Sequence, residues 1–214
     1  MTVGVSERQN AIRLLACINA ACVPVAEAAY PDDVVGALYA QSKLQALDFW
    51  MRNPDYLANE LINEYEKSQD SAQLHLAEKI LNSREPDLRR VPMVRYHFGA
   101  FEPIDNPLAI LRSVDFIRIE RTGSPGQIRK HSYLLKKRGR DAIEGLAHKS
   151  PEIRWYTNRA KVVAELAGDA GGKALKDRQY LQTEYADTVL KSIIAPITER
   201  VRERLDATIM ENSK

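Results

Sequence analysis

The chain has 214 residues, of which 44% are apolar and 28% charged, with a formal net charge of +2. That size and apolar share support one large domain, or a domain with an appendage, around a real core. The near-neutral total does not announce a nucleic-acid partner, and Cys17 and Cys22, five apart in an apolar stretch, form neither a disulfide framework nor a Cys-x-x-Cys site.

A reducing cytoplasm is therefore the natural compartment. The apolar stretch Ala11 to Ala29 is interrupted by Arg13 and Asn19 and preceded by Glu7, so it does not read as a secretory leader. No run reaches the roughly 20 apolar residues that a membrane span requires. The charge is unevenly spread. Between Phe116 and Arg140 stand eight basic side chains and one acid, a local charge of +7 that leaves −5 on the rest of the chain.

In chain order, Ser6 to Ala20 predicts a first helix, with Ser6 as N-cap and Ile12, Leu15 and Ile18 on a stripe. Tyr30 to Asp33 reads as a turn into a second helix, its Pro31, Asp32 and Asp33 suited to a helix N-terminus. That helix would carry Val34, Leu38, Leu44, Leu47, Phe49 and Trp50. Asn53-Pro54 breaks it, and a third helix follows with Tyr56, Leu57, Leu61, Ile62 and Tyr65. Ser71 to Leu81 is a fourth, and Ser83 to Pro92 reads as a loop.

From Val91 to Leu146 the pattern is helix, strand, turn, strand, helix. Leu108, Ile110, Leu111 and Val114 give a helical apolar face over Pro107 to Val114. Phe116 to Arg121 then alternates, with Ile117 and Ile119 on one face. Thr122 to Gly126 supplies turn residues, and Ile128 to Lys136 the return strand. This is the plan of a winged helix. Pro151 to Leu166 predicts another helix, Gly168 to Gly172 an interruption, and Leu181 to Met210 a long amphipathic helix that Pro196 kinks or restarts. The expected fold is mainly α with a small β-hairpin, a helical bundle plus a winged-helix unit, divided as residues 1–150 and a C-terminal helical extension over 151–214.

Tyr133-x-Leu135 with Gly139 six residues after the tyrosine is similar to the last strand and helix of many prokaryotic winged helices. Those usually carry a threonine, the cap of the following helix, where Lys136 stands here. Add the early Leu-rich helix, Lys43-Leu-Gln-Ala-Leu47 and Arg95-Tyr-His-Phe-Gly-x-Phe-x-Pro103. Over roughly residues 8 to 147 the pattern then resembles the middle components of ABC-three-component systems, including the accessory subunit of Lamassu-type anti-phage defence, and the related Panacea-type antitoxin domain. The resemblance implies an accessory subunit that docks on an SMC-like coiled-coil ATPase and works with an effector subunit such as a nuclease.

Two surfaces are candidates. Arg118, Arg121, Arg129, Lys130, Lys136 and Lys137 could meet a DNA backbone from the wing, or could be a solvated charged hairpin. Base-specific readout is not expected, because the preceding helix offers only Arg112 and Ser113 as polar readers. Tyr96, Phe98 and Phe101 could form a docking surface or close the core as buried rings. Ile194, Ile197, Val201 and Leu205 on the terminal helix are the other candidate partner-binding stripe.

No His-x-x-x-His or Cys/His set suggests a metal, and no cofactor is implied. Gly168 to Lys173 fails as a phosphate loop, because it follows a helix, Ala167 stands where the first glycine belongs and Lys173 is followed by alanine. Gly123 to Gly126 lacks the spacing of a hydrolase elbow. Nothing assembles nucleophile, base and oxyanion donors, so the chain reads as non-catalytic. A stand-alone winged-helix DNA-binding regulator or antitoxin is the other reading.

Overall fold

A computed structural model describes residues 6–25, 30, 33–97, 99–124 and 127–212, with side chains 124 and 127–129 outside that description. The first part of the chain forms α1 (Glu7–Ala21), β1 (Val34–Tyr39), α2 (Gln41–Arg52), α3 (Pro54–Ser68), α4 (Ser71–Asn82), α5 (Glu85–Arg89), β2 (Val94–Tyr96) and β3 (Gly99–Phe101). The second part forms α6 (Asp105–Ser113), β4 (Ile117–Ser124), β5 (Gln127–Lys136), α7 (Lys137–Lys149), α8 (Pro151–Ala167), α9 (Gly172–Gln179), α10 (Thr183–Ala186) and α11 (Thr198–Asn212). These make two compact units, Met1–Asp48 with Glu102–Lys176, and Phe49–Phe101 with Asp177–Lys214. This partition by contact is discontinuous in sequence, unlike a linear division at Ser150.

The first unit is the winged helix. Its winged core runs α1, β1, the start of α2, then α6, β4 and β5, with α7, α8 and the start of α9 following, and the sheet order is β1-β5-β4, all antiparallel. Ser6 starts α1 with a capping box, its hydroxyl accepting from the Gln9 N–H while the Gln9 side chain accepts from the Ser6 N–H. Central strand β5 is buried from Ser132 to Leu135 because both sheet faces are covered. Tyr133 stands between Ile119 and Leu38 on one face, while Leu134 joins Ala37 and Val34 on the other, against Val25, Tyr30 and Tyr39.

Val34 to Tyr39 is a strand, which corrects the expectation of one helix running from Val34 to Trp50. Val34 and Val35 are β-branched and Gly36 is a weak helix former, so the local preference agrees with β5 pairing. A Cβ on Gly36 would lie 2.6 Å from the Cys22 sulfur, so the backbone of β1 approaches Cys22 as only glycine permits. Helix α2 starts after Ala40, whose φ is 72°. Asp33, expected at a helix N-terminus, instead holds Lys136, and Pro31 and Asp32 lie outside the described residues.

One charged pair sits inside this unit. Arg13 on α1 donates from Nε to Asp48 on α2 at 2.5 Å, with both side chains buried. Burial opposes the guanidinium charge, and Asp48 more than restores it, so the Arg13 pKa is raised. Burial also pushes the neighbouring Cys17 thiol up, so it stays protonated at neutral pH. At the other end of the unit a side chain on Gly139 would strike the Phe116 carbonyl, which explains the glycine of the strand–helix motif.

The second unit packs α3 against α4, with α11 across both. Phe49 meets Tyr56 and Tyr185 edge-on at 4.9 and 5.1 Å, giving the unit an aromatic centre. The stretch expected as one helix from Leu181 to Met210 is a helix only from Thr198; before it lie the short α10 and an extended run to Ile197. Pro196 thus starts a segment rather than kinking one. Asp55, fully buried on α3, accepts the Ile197 N–H at 2.7 Å and the Thr198 hydroxyl at 3.4 Å, supplying the N-terminal cap from another helix. The loop expected between Ser83 and Pro92 contains the five-residue α5.

Asp48→Asn should strand a buried guanidinium and cost about 3–5 kcal/mol in urea unfolding followed by far-UV circular dichroism. The paired change Arg13→Met with Asp48→Leu should recover most of that loss. Asp55→Ala should cost about 1–2 kcal/mol, as a lost cap does.

Candidate functional site

In the winged unit, α6 buries Pro107, Leu108 and Leu111 and exposes Asp105, Asn106, Ala109, Arg112 and Ser113. Beside it, Arg121 of β4 stands opposite His131 of β5, and its guanidinium is 4.0 Å from the Asp105 carboxylate. Both partners of that pair are more than half exposed, so the attraction is screened and weak. Burial, helped by Arg121, lowers the His131 pKa, with Asp105 acting the other way. His131 is therefore neutral at pH 7 and adds no charge to the surface.

Among the described residues, the basic side chains of the wing do not form one cationic face. Arg118 pairs with Glu120 at 3.0 Å, and Lys137 with Asp141 at 2.6 Å one turn along α7. The Lys130 ammonium lies 4.3 Å from the centre of the Tyr39 ring. Lys136 is the clearest departure. Its ammonium is held at 2.7 Å by both Asp33 and Asp115, and those hydrogen bonds keep its pKa above the ordinary lysine value. It ties the residue before β1 to the turn before β4, and both ion pairs would have to open before it could meet a phosphate. It caps α7 by no side-chain bond, whereas the Asp33 carbonyl accepts the Lys137 N–H at 2.7 Å. The Arg129 side chain lies outside the described residues.

In the second unit, β2 and β3 form a hairpin to which residues 191–194 add on the free side of β2. The Arg95 N–H donates to Ser192, and the Ile194 N–H to Met93. Strand alternation then sorts the side chains. Met93 and Ile194 point into the core, fully buried. Val94 and Ile193, bridged to each other, point out with Tyr96 and Phe101. Their exposures are 37%, 61%, 40% and 40%, which makes a cross-strand apolar row Phe101–Val94–Ile193 flanked by Tyr96. Pro92 and Ala195 continue the same alternation and are exposed as well. The rings of Tyr96 and Phe101 touch at 5.6 Å. These aromatics are therefore surface, not the core rings that composition suggested as one reading. Phe98 lies outside the described residues.

The other candidate stripe is spent internally. Ile194, Ile197, Val201 and Leu205 are at most 3% exposed and pack within the second unit, so they are core and not an open face. Sequence reasoning missed Val94 and Ile193 as surface residues. The available signal was the period-two order Met93-Val94-Arg95-Tyr96 and the β-branched pair Ile193-Ile194, which helix periodicity absorbed.

A cleft of about 380 Å³ between α1, α7 and α8 is lined by Asn19, Glu144, His148, Arg154, Thr157 and Lys161. Its arginine is committed to the carbonyls of Ala147 and His148 at the end of α7. Among the described residues, no three His, Cys, Asp or Glu side chains converge as a metal set, and no helix is long and apolar enough to cross a membrane. No family model, curated protein or solved structure matches the chain.

The placements separate by stability. Tyr96→Ala with Phe101→Ala should cost less than about 1 kcal/mol, as exposed rings do. Ile194→Ala, one residue from exposed Ile193, should cost about 2–5 kcal/mol in the same urea titration.

Proposed function

We propose that this chain is a non-catalytic accessory subunit of an SMC-like ATPase complex in anti-phage or anti-plasmid defence. It docks on the coiled-coil ATPase, works with an effector subunit, and presents its wing to the DNA backbone. The observation that carries this reading is the outward apolar row of Phe101, Val94 and Ile193 with Tyr96. Single apolar residues are ordinary on a surface, but a cross-strand row without a charged member marks an interaction face. A sheet buried on one face is completed by a layer on the other, and a helix of a coiled coil supplies such a layer. The resemblance over roughly residues 8 to 147 contributes the kind of partner. Docking falls on the hairpin and not on α11, whose apolar stripe is already buried.

A second reading, a stand-alone winged-helix regulator or antitoxin, is favoured by the polar outward face of α6. Co-expression with the products of the neighbouring genes separates the two. The first reading expects a stable complex that is lost with Val94→Asp plus Phe101→Asp and retained with Arg121→Ala, both variants keeping the native circular dichroism. An intact complex with the double aspartate variant moves docking elsewhere on the surface. Absence of any ATPase complex, together with a salt-sensitive DNA shift by the protein alone, replaces the first reading by the second.

A further inference from the structure

Strand β4 is an edge. The sheet order β1-β5-β4 gives it β5 on one side and no strand on the other, over the eight residues Ile117–Ser124. An edge of that length presents N–H and C=O groups that another strand can satisfy. The register says which residues present them. Phe116 stands opposite Lys136, one step beyond the Ile117–Leu135 pair, and its carbonyl accepts the Lys136 N–H. Hydrogen-bonded pairs alternate along an antiparallel ladder, so Arg118, Glu120 and Thr122 bond to β5. Ile117, Ile119 and Arg121 turn their backbone groups outward, and among the described residues no other segment bonds to them.

Charge selects the partner. Arg118 and Glu120 lie on one face of the strand, 3.0 Å apart, with side-chain exposures of 53% and 32%. Charges on an edge guard it against indiscriminate pairing, because a like charge directly opposite is destabilising. Here the two signs stand symmetrically about Ile119. A second copy of β4, paired antiparallel across a twofold axis at Ile119, brings its Glu120 opposite Arg118 and its Arg118 opposite Glu120. These are non-hydrogen-bonded pairs, in which opposing side chains come closest. The four charges then form a square, each with an opposite sign beside it along the strand and across the seam. Moving the axis by one residue sets Arg118 against Arg118, or Glu120 against Glu120. With the axis normal to the sheet, Ile117 and Ile119 of both copies stay on one face. Arg121 falls opposite Ile117, where its stem can cover the isoleucine while its guanidinium keeps Asp105.

We propose that β4 is a self-association edge. Two copies of this chain join β4 to β4 about Ile119 and merge their three-stranded sheets into one, with about six backbone hydrogen bonds and reciprocal Arg118–Glu120 pairs across the seam. The seam is short, so the dimer belongs with weak, reversible interfaces. The test is sedimentation equilibrium of the full chain at low salt. Between about 1 and 300 µM its weight-average mass should rise from one chain toward two. Glu120→Arg and Arg118→Glu each set like charges opposite and should lower the association constant by roughly 10- to 100-fold, with native circular dichroism. Mixed in equal amounts, the two variants should associate as the unaltered chain does, because every charge again faces its opposite. The chain carrying both changes should regain self-association for the same reason. A pair that only stiffens its own strand predicts no rescue on mixing. A mass that stays at one chain throughout overturns the proposal. So does a dimer that both single variants leave intact, or one that mixing fails to restore, since either places self-association on another surface.

Discussion

The pairing of β1 with β5 is the constraint on which the winged unit depends. Its partners are on the order of a hundred residues apart, Val34 beside Lys136 and Tyr39 beside Ser132. Closing a loop of that length costs entropy before any contact repays it, so the strands must bury enough when they meet. They do so on both faces, with Tyr133 and Leu135 on one side and Leu134 on the other, all at or below 1% exposure. Once the sheet is closed, α6 and β4 have a fixed floor. The outward stripe of α6 is then a consequence of where Leu108 and Leu111 must go.

Charge in this protein is decided by neighbours more than by count. The segment with eight basic residues looks like a cationic wing in one dimension. In three dimensions Lys136 is a strut between Asp33 and Asp115, and Arg118 and Lys137 each face a carboxylate. Exposed pairs of this kind contribute little and open readily, whereas the buried Arg13–Asp48 pair stands or falls as a unit. The difference is solvent, since water screens the first kind and is absent around the second.

The second unit shows the same redistribution for apolar residues. A run that reads as one amphipathic helix is divided by Pro196, and its two halves have opposite fates. After the proline, Val201 and Leu205 close the core on α3 and α4. Before it, residues 191–194 add to β2, so that adjacent isoleucines point in opposite directions, Ile194 in and Ile193 out. A helix would have placed both on one side. A strand cannot, because its side chains alternate.

Much of the local structure was legible in the sequence. Helices α3, α4 and α8 announce themselves by apolar spacing and by proline or a capping residue at their starts, and the β4–β5 hairpin by alternation broken at a glycine-rich turn. These signals are local because helix and hairpin hydrogen bonds join residues close in sequence. Strand β1, the start of α11, the outward row on the hairpin and the capture of Lys136 depend on partners far away along the chain, and no window of neighbours contains them. The sequence by itself determined that there would be a winged helix with helices around it. Only the tertiary structure decided which of its basic and apolar side chains are spent inside the fold and which are left to meet something else, because burial and ion pairing are properties of residues brought together by folding.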